Sequence, residues 1–354
     1  MNIWFGDYKF SMEGGNIVSD FIEEIKADDF KLEDLIEKHR GEKCLFYVDL
    51  VRKTCGDWVK IPVMLVSGKK KGKLLLTDAC CHGDEYEGAE GIAEIYNSLE
   101  PGEMSGAFVG IPALNLAAFG SMSRFSSDDF VPVDMNRAFP GNKTGTVTNY
   151  IAYYYTENFI KKADGLVTIH GGGNTLYLKP VACHPKKDDD VSKISQQMAE
   201  AMNFDVIWED KDINGSYGLM DQNAYLLGVP VVTAEIGGQS VRHFERQESS
   251  RRICEGMTNI MRLFDIVSGE VVKKEPEYIV NLSYIYSNNG GIHKPLLKDG
   301  ERFSKGQVLS EITDVFGNVT EKITAGFDGV VVGYLAYSAV NPKSWVYLVG
   351  EEVK

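Results

Sequence analysis

The sequence predicts an α/β protein with a mainly parallel or mixed central sheet flanked by helices, followed by a small C-terminal all-β sandwich domain. Short apolar runs alternate with helical stretches over the first 269 residues, which is typical of a sheet covered on both faces. A polar linker containing proline follows at residues 271–277. Beyond it, short β-like runs are punctuated by glycine without helical periodicity. We therefore predict two domains, residues 1–269 and 270–354.

Side-chain periodicity places the individual elements of the first domain. Two short amphipathic segments favour helices at residues 17–25 and 32–39, and Gly41 is a stop signal for the second. Strands are predicted at residues 44–51, 58–66, 73–79, 107–113, 166–169 and 230–234. Further helices are predicted at residues 87–99, 147–162 and 191–202, before Gly228, and over a last segment that ends at Gly269.

Composition excludes several classes of protein. The formal net charge is −14, from 37 Lys and Arg against 51 Asp and Glu, which argues against nucleic-acid binding. No apolar run approaches the roughly 20 residues of a membrane span. The N-terminal segment also lacks the basic and apolar regions of a signal peptide. Six cysteines without a CxxC pair predict reduced thiols, so we expect a cytoplasmic protein without nucleic-acid or membrane partners. The sequence is compatible with a homo-oligomer.

Polar side chains follow three of the predicted strands. The strand at 73–79 leads to His82 and Glu85, the strand at 166–169 to His170, and the strand at 230–234 to Glu235. Glycines follow each of these ends and allow the backbone to turn sharply. Because sites in open α/β sheets lie outside the carboxyl ends of the strands, we expect these side chains to meet in one site.

The spacing of these residues is suited to a catalytic metal. His82 and Glu85 are separated by two residues, so they converge on one cation if the loop makes a helical turn. With His170 they form a set of two imidazoles and one carboxylate, which leaves the fourth tetrahedral position of Zn²⁺ open for water. Glu235 is then the candidate general base. An HxxE spacing alone is common by chance, so the prediction depends on the three strand ends together.

Cys80 and Cys81 offer an alternative, because a thiolate as fourth ligand would close the site. Neighbouring residues on a strand point to opposite faces, so at most one of the two could reach the metal. Burial as small apolar side chains is the favoured interpretation.

A second group of polar residues lies between the first two strand ends. Asn136 and Arg137 offer an amide donor and a planar guanidinium, which suit a substrate carboxylate. Asp134 is placed to accept the second N–H of a metal-bound imidazole. A simple turn that ends at Pro140 would give a similar pattern. Arg124, taken alone, is read as a solvated arginine.

Four motifs together resemble the succinylglutamate desuccinylase/aspartoacylase family of the zinc carboxypeptidase-like clan. They are HGDEYEG from His82, DMNRAFPG from Asp134, His170 at a strand end, and TAEIGG around Glu235, in the family's order over about residues 73–268. The C-terminal β domain is also similar to the one that these amidohydrolases carry. The resemblance implies a zinc carboxypeptidase-like fold for the first domain.

The resemblance implies one Zn²⁺ per chain, with His82, Glu85 and His170 as ligands. It implies that Glu235 is the general base and later the proton donor. One departure affects the second histidine. Family members often have Asp two residues before it, whereas this chain has Thr168, so the orientation of the imidazole is an open question.

The resemblance also implies substrate contacts. Arg124 would polarise the scissile carbonyl, and Asn136 with Arg137 would hold the carboxylate of the amino-acid part. A tyrosine near the leaving group is common in the clan. Tyr217 and Tyr225 both lie in the right stretch, and the sequence does not choose between them.

The predicted function is zinc-dependent hydrolysis of the amide bond of a small-molecule N-acyl amino acid. Two alternatives are a metallocarboxypeptidase acting on short peptides and a non-catalytic module that binds a metal or small ligand. The C-terminal domain resembles a biotinyl/lipoyl-type sandwich, but residues 313–318 contain no lysine where such domains are modified. We therefore expect this domain to carry no prosthetic group.

Overall fold

The computed structural model describes residues 3–5, 8–10, 22–213, 215, 217–239 and 243–353. Its strands in chain order are β1 (Ile3–Phe5), β2 (Tyr8–Phe10), β3 (Glu23–Lys26), β4 (Lys43–Arg52), β5 (Trp58–Ser67), β6 (Lys70–Ala79), β7 (Ser105–Ile111), β8 (Gly165–His170), β9 (Leu176–Pro185), β10 (Val206–Asp210), β11 (Val231–Gly238), β12 (Tyr278–Tyr286), β13 (Gly291–Pro295), β14 (Arg302–Phe303), β15 (Val308–Thr313), β16 (Val319–Thr324), β17 (Gly329–Leu335), β18 (Ala339–Val340) and β19 (Trp345–Glu352). The α-helices are α1 (Leu32–Lys38), α2 (Glu87–Ser98), α3 (Leu116–Gly120), α4 (Val147–Asn158), α5 (Asp190–Ala201), α6 (Met220–Leu226) and α7 (His243–Leu263). Short 3₁₀ turns lie at Pro101–Glu103, Met135–Arg137 and Ile160–Lys162.

One large mixed sheet organises the described residues. Its 13 strands follow the order β14-β17-β19-β12-β10-β9-β11-β8-β6-β7-β5-β4-β3. At the centre β11, β8, β6 and β7 run parallel. They are flanked by the antiparallel neighbours β9 and β5. The predicted mixed α/β class with a central sheet is confirmed, and the strands that carry the candidate site residues belong to the parallel part.

Helices cover both faces of the central strands. On one face α2, α5 and α7 contribute Ile92, Met198 and Ile253 to an apolar cluster. On the other face α4 and α6 contribute Tyr155 and Met220 to a second cluster. Both faces of β6, β8 and β11 are therefore buried, so polar groups on these strands are favoured mainly at their ends.

The strands after residue 270 continue the same sheet. β12 pairs parallel with β10, and β17 pairs antiparallel with β9. Through β19 these pairings close a ring of strands, β9-β10-β12-β19-β17. Its apolar cluster includes Leu178, Val206, Val280 and Leu348. The domain boundary near residue 270 stays a prediction, since no break in the sheet marks it.

A second sheet packs on the C-terminal strands. β16, β15, β13 and β18 form a four-stranded sheet. Leu309 and Ile312 of this sheet share an apolar cluster with Val331 and Val349 of the large sheet. The C-terminal part is thus a β sandwich in which one layer belongs to the large sheet.

The first predicted helix, residues 17–25, is wrong where it can be checked. Residues 17–21 lie outside the described residues, and Glu23–Lys26 form β3, which pairs parallel with β4. A short segment with a single half-buried side chain, Ile25, fits either period. Pairing with β4 supplies hydrogen bonds that an isolated helix of this length would not retain. Among the described residues, no helix is long and apolar enough to cross a membrane.

Candidate metal centre and active site

The sheet brings the three predicted strand ends together. β11, β8 and β6 are adjacent and parallel, so their carboxyl ends meet at one edge. Glu235 lies opposite His170 in the register of β11 and β8. The segment after β6 turns back on itself, since the Glu85 N–H donates to the His82 carbonyl at 3.3 Å. This turn places the two side chains of the HxxE pair on the same side.

His82, Glu85 and His170 form a buried cluster. Oε1 of Glu85 lies 2.8 Å from Nδ1 of His82, and Oε2 lies 2.9 Å from Nδ1 of His170. The candidate ligand atoms all lie within 4.8 Å of one another. The three residues are only 3–4% exposed. Burial alone would raise the pKa of Glu85, but the two imidazoles hold it well below its usual range.

The donor set of this cluster fits a zinc ion. Two imidazole nitrogens and one carboxylate are the ligands of many catalytic zinc sites. Burial would lower the pKa of His170, but the neighbouring Glu85 raises it to about 9. A divalent cation would take the place of a proton at this cluster, because an imidazole binds a metal in its neutral form and the carboxylate in its ionised form.

Asp134 connects the cluster to Arg124. Its Oδ1 lies 3.0 Å from Nε2 of His82, the ring nitrogen that faces away from Glu85. Its Oδ2 accepts hydrogen bonds from Nε and Nη2 of Arg124 at 3.1 and 2.9 Å. Burial would raise the pKa of Asp134, but His82 and Arg124 hold it well below its usual range. Oδ1 also accepts the Asn136 N–H at 3.0 Å, so Asp134 caps its own turn as well.

Two further carboxylates next to Glu85 hold the other strand ends. Oδ2 of Asp84 accepts the Asn174 N–H at 2.9 Å, in the loop after β8. Oε1 of Glu87 accepts the Gly238 N–H at 2.9 Å, at the end of β11. The acidic residues of HGDEYEG thus tie three strand ends together. Sequence reasoning missed Asp84 and Glu87, although their acidity beside a predicted ligand was a readable signal.

Glu235 lies in the same cavity as the cluster. Burial raises its pKa to about 7, against the opposing effect of the His170 imidazole. A carboxyl group with a pKa in this range can both accept and return a proton near neutral pH.

A cavity of about 540 Å³ opens beside the cluster. The three residues of the cluster line it, and so do the predicted residues Arg124, Asn136, Arg137 and Glu235. The Asn136 side chain is fixed, because its Oδ1 accepts the Met220 N–H at 2.8 Å.

The other wall of the cavity is aromatic and comes from the ring of strands. Trp208 of β10, Tyr284 and Tyr286 of β12, and Trp345 of β19 all line it. The rings of Tyr284 and Trp345 meet edge to face at 5.5 Å between centroids. Sequence reasoning missed Tyr284, Tyr286 and Trp345 because they lie about 50 residues or more beyond the last motif, and only the pairing of β12 with β10 and β19 brings them to the site. Trp208 lies before that motif, on a strand that the sequence pattern did not predict.

Tyr217 and Tyr225 are not among the residues that line the cavity. Tyr217 is 50% exposed. The hydroxyl of Tyr225 donates to Asp189, the residue that caps α5. The tyrosines that the structure brings to the cavity are instead Tyr284 and Tyr286.

Cys80 and Cys81 point to opposite faces of the sheet. Cys80 packs in the cluster under α2 and α7, and Cys81 in the cluster under α4. Among the described residues, the only cluster suited to a metal contains no cysteine. A closed site with a thiolate ligand is therefore not supported.

Comparison with known proteins identifies the relatives of this chain. The model of the succinylglutamate desuccinylase/aspartoacylase catalytic domain matches residues 71–264. The N-alpha-acetyl-L-2,4-diaminobutyric acid deacetylase of Halomonas elongata is 27% identical over 306 residues, which cover 84% of this chain and 87% of that protein.

Solved structures show the same likeness. The product-bound ectoine utilization protein EutE (DoeB) of Ruegeria pomeroyi superimposes with a TM-score of 0.79 at 25% identity, covering 87% of this chain and 94% of that one. A succinylglutamate desuccinylase from Silicibacter sp. TM1040 gives a TM-score of 0.78 at 25% identity with the same coverage.

Proposed function

The chain belongs to the succinylglutamate desuccinylase/aspartoacylase family, and on this basis we propose that it is a zinc-dependent hydrolase of N-acyl amino acids. The buried His82–Glu85–His170 cluster, with Glu235 beside it, carries the proposal. A binding module would not require an unligated carboxylate at this place. One Zn²⁺ per chain is proposed, held by these three side chains.

The chemistry divides between the metal and the protein. When bound, Zn²⁺ polarises a carbonyl and lowers the pKa of water to roughly 7. Glu235 takes a proton from the attacking water and returns it to the leaving amine. Arg124, held by Asp134, lies 3.6 Å from Oε1 of Glu85 and stabilises the charge that develops on the acyl oxygen.

Substrate binding is assigned to polar and aromatic residues that line the cavity. Asn136 and Arg137 hold the carboxylate of the amino-acid part, and both line the cavity. Tyr284 and Tyr286 are the tyrosines that we expect to contact substrate. A relative that deacetylates N-alpha-acetyl-L-2,4-diaminobutyric acid makes N-acetyl amino acids the first substrates to test.

We also propose the finer structural assignments. The first domain is assigned to the zinc carboxypeptidase-like class on the basis of family membership. The C-terminal sandwich is proposed to be of the unmodified biotinyl/lipoyl type, since the hairpin between β15 and β16 exposes Val315 and Phe316 and carries no lysine. A cytoplasmic location and a homo-oligomer stay predictions, and all six cysteines are free thiols.

Metal analysis with a substrate panel tests this function. We expect about one zinc per chain and hydrolysis of N-acetyl or N-succinyl amino acids, lost with a chelator and restored by zinc. His82→Ala should lose the zinc, whereas His39→Ala, whose half-buried ring contacts Glu42 and does not line the cavity, should keep it. Cleavage of C-terminal dipeptides instead would indicate a carboxypeptidase. Binding without turnover would indicate the non-catalytic module, and retention of one zinc by His82→Ala would overturn the ligand assignment.

A further inference from the structure

Thr168, two residues before His170, faces a buried carboxylate on the neighbouring strand. Asp78 on β6 is the direct partner of Thr168 in the parallel register of β6 and β8. The Thr168 hydroxyl donates to Oδ1 of Asp78 at 3.0 Å. Asp78 is 0% exposed and Thr168 is 1% exposed, so this hydrogen bond is shielded from water. A buried carboxylate is thus present in this layer, but on the neighbouring strand.

The second oxygen of Asp78 is also held. The Tyr155 hydroxyl, on α4, donates to Oδ2 at 3.0 Å. No lysine or arginine among the described residues forms an ion pair with Asp78. Its negative charge therefore lies buried without a cationic partner of its own, close behind the end of the strand that carries His170. An uncompensated buried carboxylate is costly unless a positive charge nearby offsets it.

We propose that Asp78 is a positioning residue for the metal centre and that it acts through its hydrogen bond to Thr168. The inference rests on the proposed function only in that the cluster binds a cation. β6 delivers His82 four residues after Asp78, and β8 delivers His170 two residues after Thr168. The Asp78–Thr168 bond cross-links the two strands just before they supply the two imidazoles. It fixes the separation of these ligands and supplies negative charge behind a divalent cation.

Zinc affinity tests this inference without relying on turnover. Asp78→Asn keeps the shape of the side chain and removes its charge, and should weaken zinc binding about 10- to 100-fold in chelator competition. We expect kcat to fall while KM stays within a few-fold. Tyr155→Phe is the matched control, because it removes the other hydrogen bond to Asp78 and leaves the charge and the Thr168 bond. It should bind zinc nearly as tightly as the parent. Unfolding of the metal-free proteins checks that each variant is folded.

An exchange of the two side chains gives the sharper test. Asp78→Thr alone should weaken zinc binding as Asp78→Asn does. The double variant Asp78→Thr/Thr168→Asp moves the carboxylate to the strand of His170 and should restore the affinity to within a few-fold. Unchanged zinc affinity in folded Asp78→Asn would overturn the inference, as would a folded double variant no tighter than Asp78→Thr. Parent protein that binds zinc but hydrolyses no acyl amino acid would overturn the proposed function alone, and parent protein that binds no zinc would overturn both.

Discussion

Glu85 shows how much of the site depends on single atoms. Each of its oxygens contacts one imidazole, at 2.8 and 2.9 Å, and Oε2 also accepts the Gly171 N–H at 3.3 Å. The two oxygens of Asp134 also contact different residues: one lies beside His82 and the other accepts a hydrogen bond from Arg124. Two carboxylates therefore set the orientation of both imidazoles and of the arginine. At this scale the site is a chain of hydrogen-bonded side chains with little freedom to rearrange.

The placement of residues in the candidate site could be predicted where a motif is local. His82 with Glu85, and Asn136 with Arg137, lie close in sequence, so their spacing carries information. Tyr284 could not be found in this way, because its place in the cavity depends on strand pairing across residues 206–286.

Substitution of Arg137 tests substrate binding. In Arg137→Ala we expect KM to rise about 10- to 100-fold with kcat changed much less, because a charge-assisted contact made in both the ground state and the transition state is lost. Steady-state kinetics on the best acyl amino acid measures this. The control is Arg251→Ala, whose guanidinium pairs with Glu248 on the surface of α7. An unchanged KM in Arg137→Ala would contradict the assignment.

His293 makes stability depend on pH. It is 4% exposed beside Tyr347, and burial lowers its pKa from 6.5 to about 4. Because the unfolded chain binds the proton more readily, stability is complete above pH 6.5 and is lost as pH falls toward 4. Between pH 7.5 and 5 the loss from this group is about 2 kcal/mol.

Urea unfolding of metal-free parent protein and His293→Phe at both pH values measures this effect. The variant should lose about 2 kcal/mol less than the parent over the same interval. His39→Gln, which replaces a half-buried histidine beside the exposed Glu42, should behave as the parent does. Equal losses in His293→Phe and the parent would show that His293 is not responsible.

At the scale of elements, the end of β11 is held by a close backbone approach. Gly237 has φ +76°, and a Cβ there would lie 2.3 Å from Oε1 of Glu87. That oxygen cannot move freely, because it accepts the Gly238 N–H. The turn of TAEIGG therefore requires glycine, and it holds the strand that carries Glu235.

Alanine substitutions at the two ends of β11 separate the cost of a positive φ angle from the cost of a steric contact with Glu87. Gly228, before the strand, has φ +82° with nothing within 4 Å of its added Cβ. Gly228→Ala should cost only the strain of positive φ, about 1–2 kcal/mol. Gly237→Ala should cost at least about 1 kcal/mol more, since it also breaks the Glu87 hydrogen bond, and should lower kcat. Equal unfolding free energies and equal kcat values for the two variants would contradict this account.

Strands could be predicted from the sequence where both of their faces are buried. The fully buried strands β6, β8 and β11 read as short apolar runs that end in polar residues. The long strand β9 was missed, because half-exposed residues and Pro180 interrupt its apolar pattern while it pairs with three neighbours. β3 was misread because a four-residue strand at the sheet edge has too few side chains to define a period.

At the scale of the whole molecule, the C-terminal strands complete the cavity beside the metal cluster. β12 and β19 close the ring with β9, β10 and β17, and they supply Tyr284, Tyr286 and Trp345 to the wall. A boundary at residue 270 is visible in composition, but the sheet and the cavity both cross it. Sequence composition indicates where the type of secondary structure changes, but it carries no information on which strand of the sheet a later strand pairs with.

Removal of residues 270–354 tests this dependence. The truncated chain would leave β10 without β12 and expose Leu178, Val181 and Val206 of the ring cluster. Calorimetry should show no cooperative unfolding transition for residues 1–269 alone. A sharp transition together with about one bound zinc would show that the first domain folds independently.

The account as a whole depends on Glu235 acting as a base beside a zinc ion. The most direct measurement is kcat of zinc-loaded Glu235→Gln, with metal content determined on the same sample. The control is Glu200→Gln on α5. In the parent the Glu200 carboxylate pairs with Lys273, and the variant should keep its turnover. We predict that Glu235→Gln retains about one zinc per chain and loses about 10²- to 10⁴-fold in kcat. Full turnover by Glu235→Gln with zinc bound would contradict the mechanism.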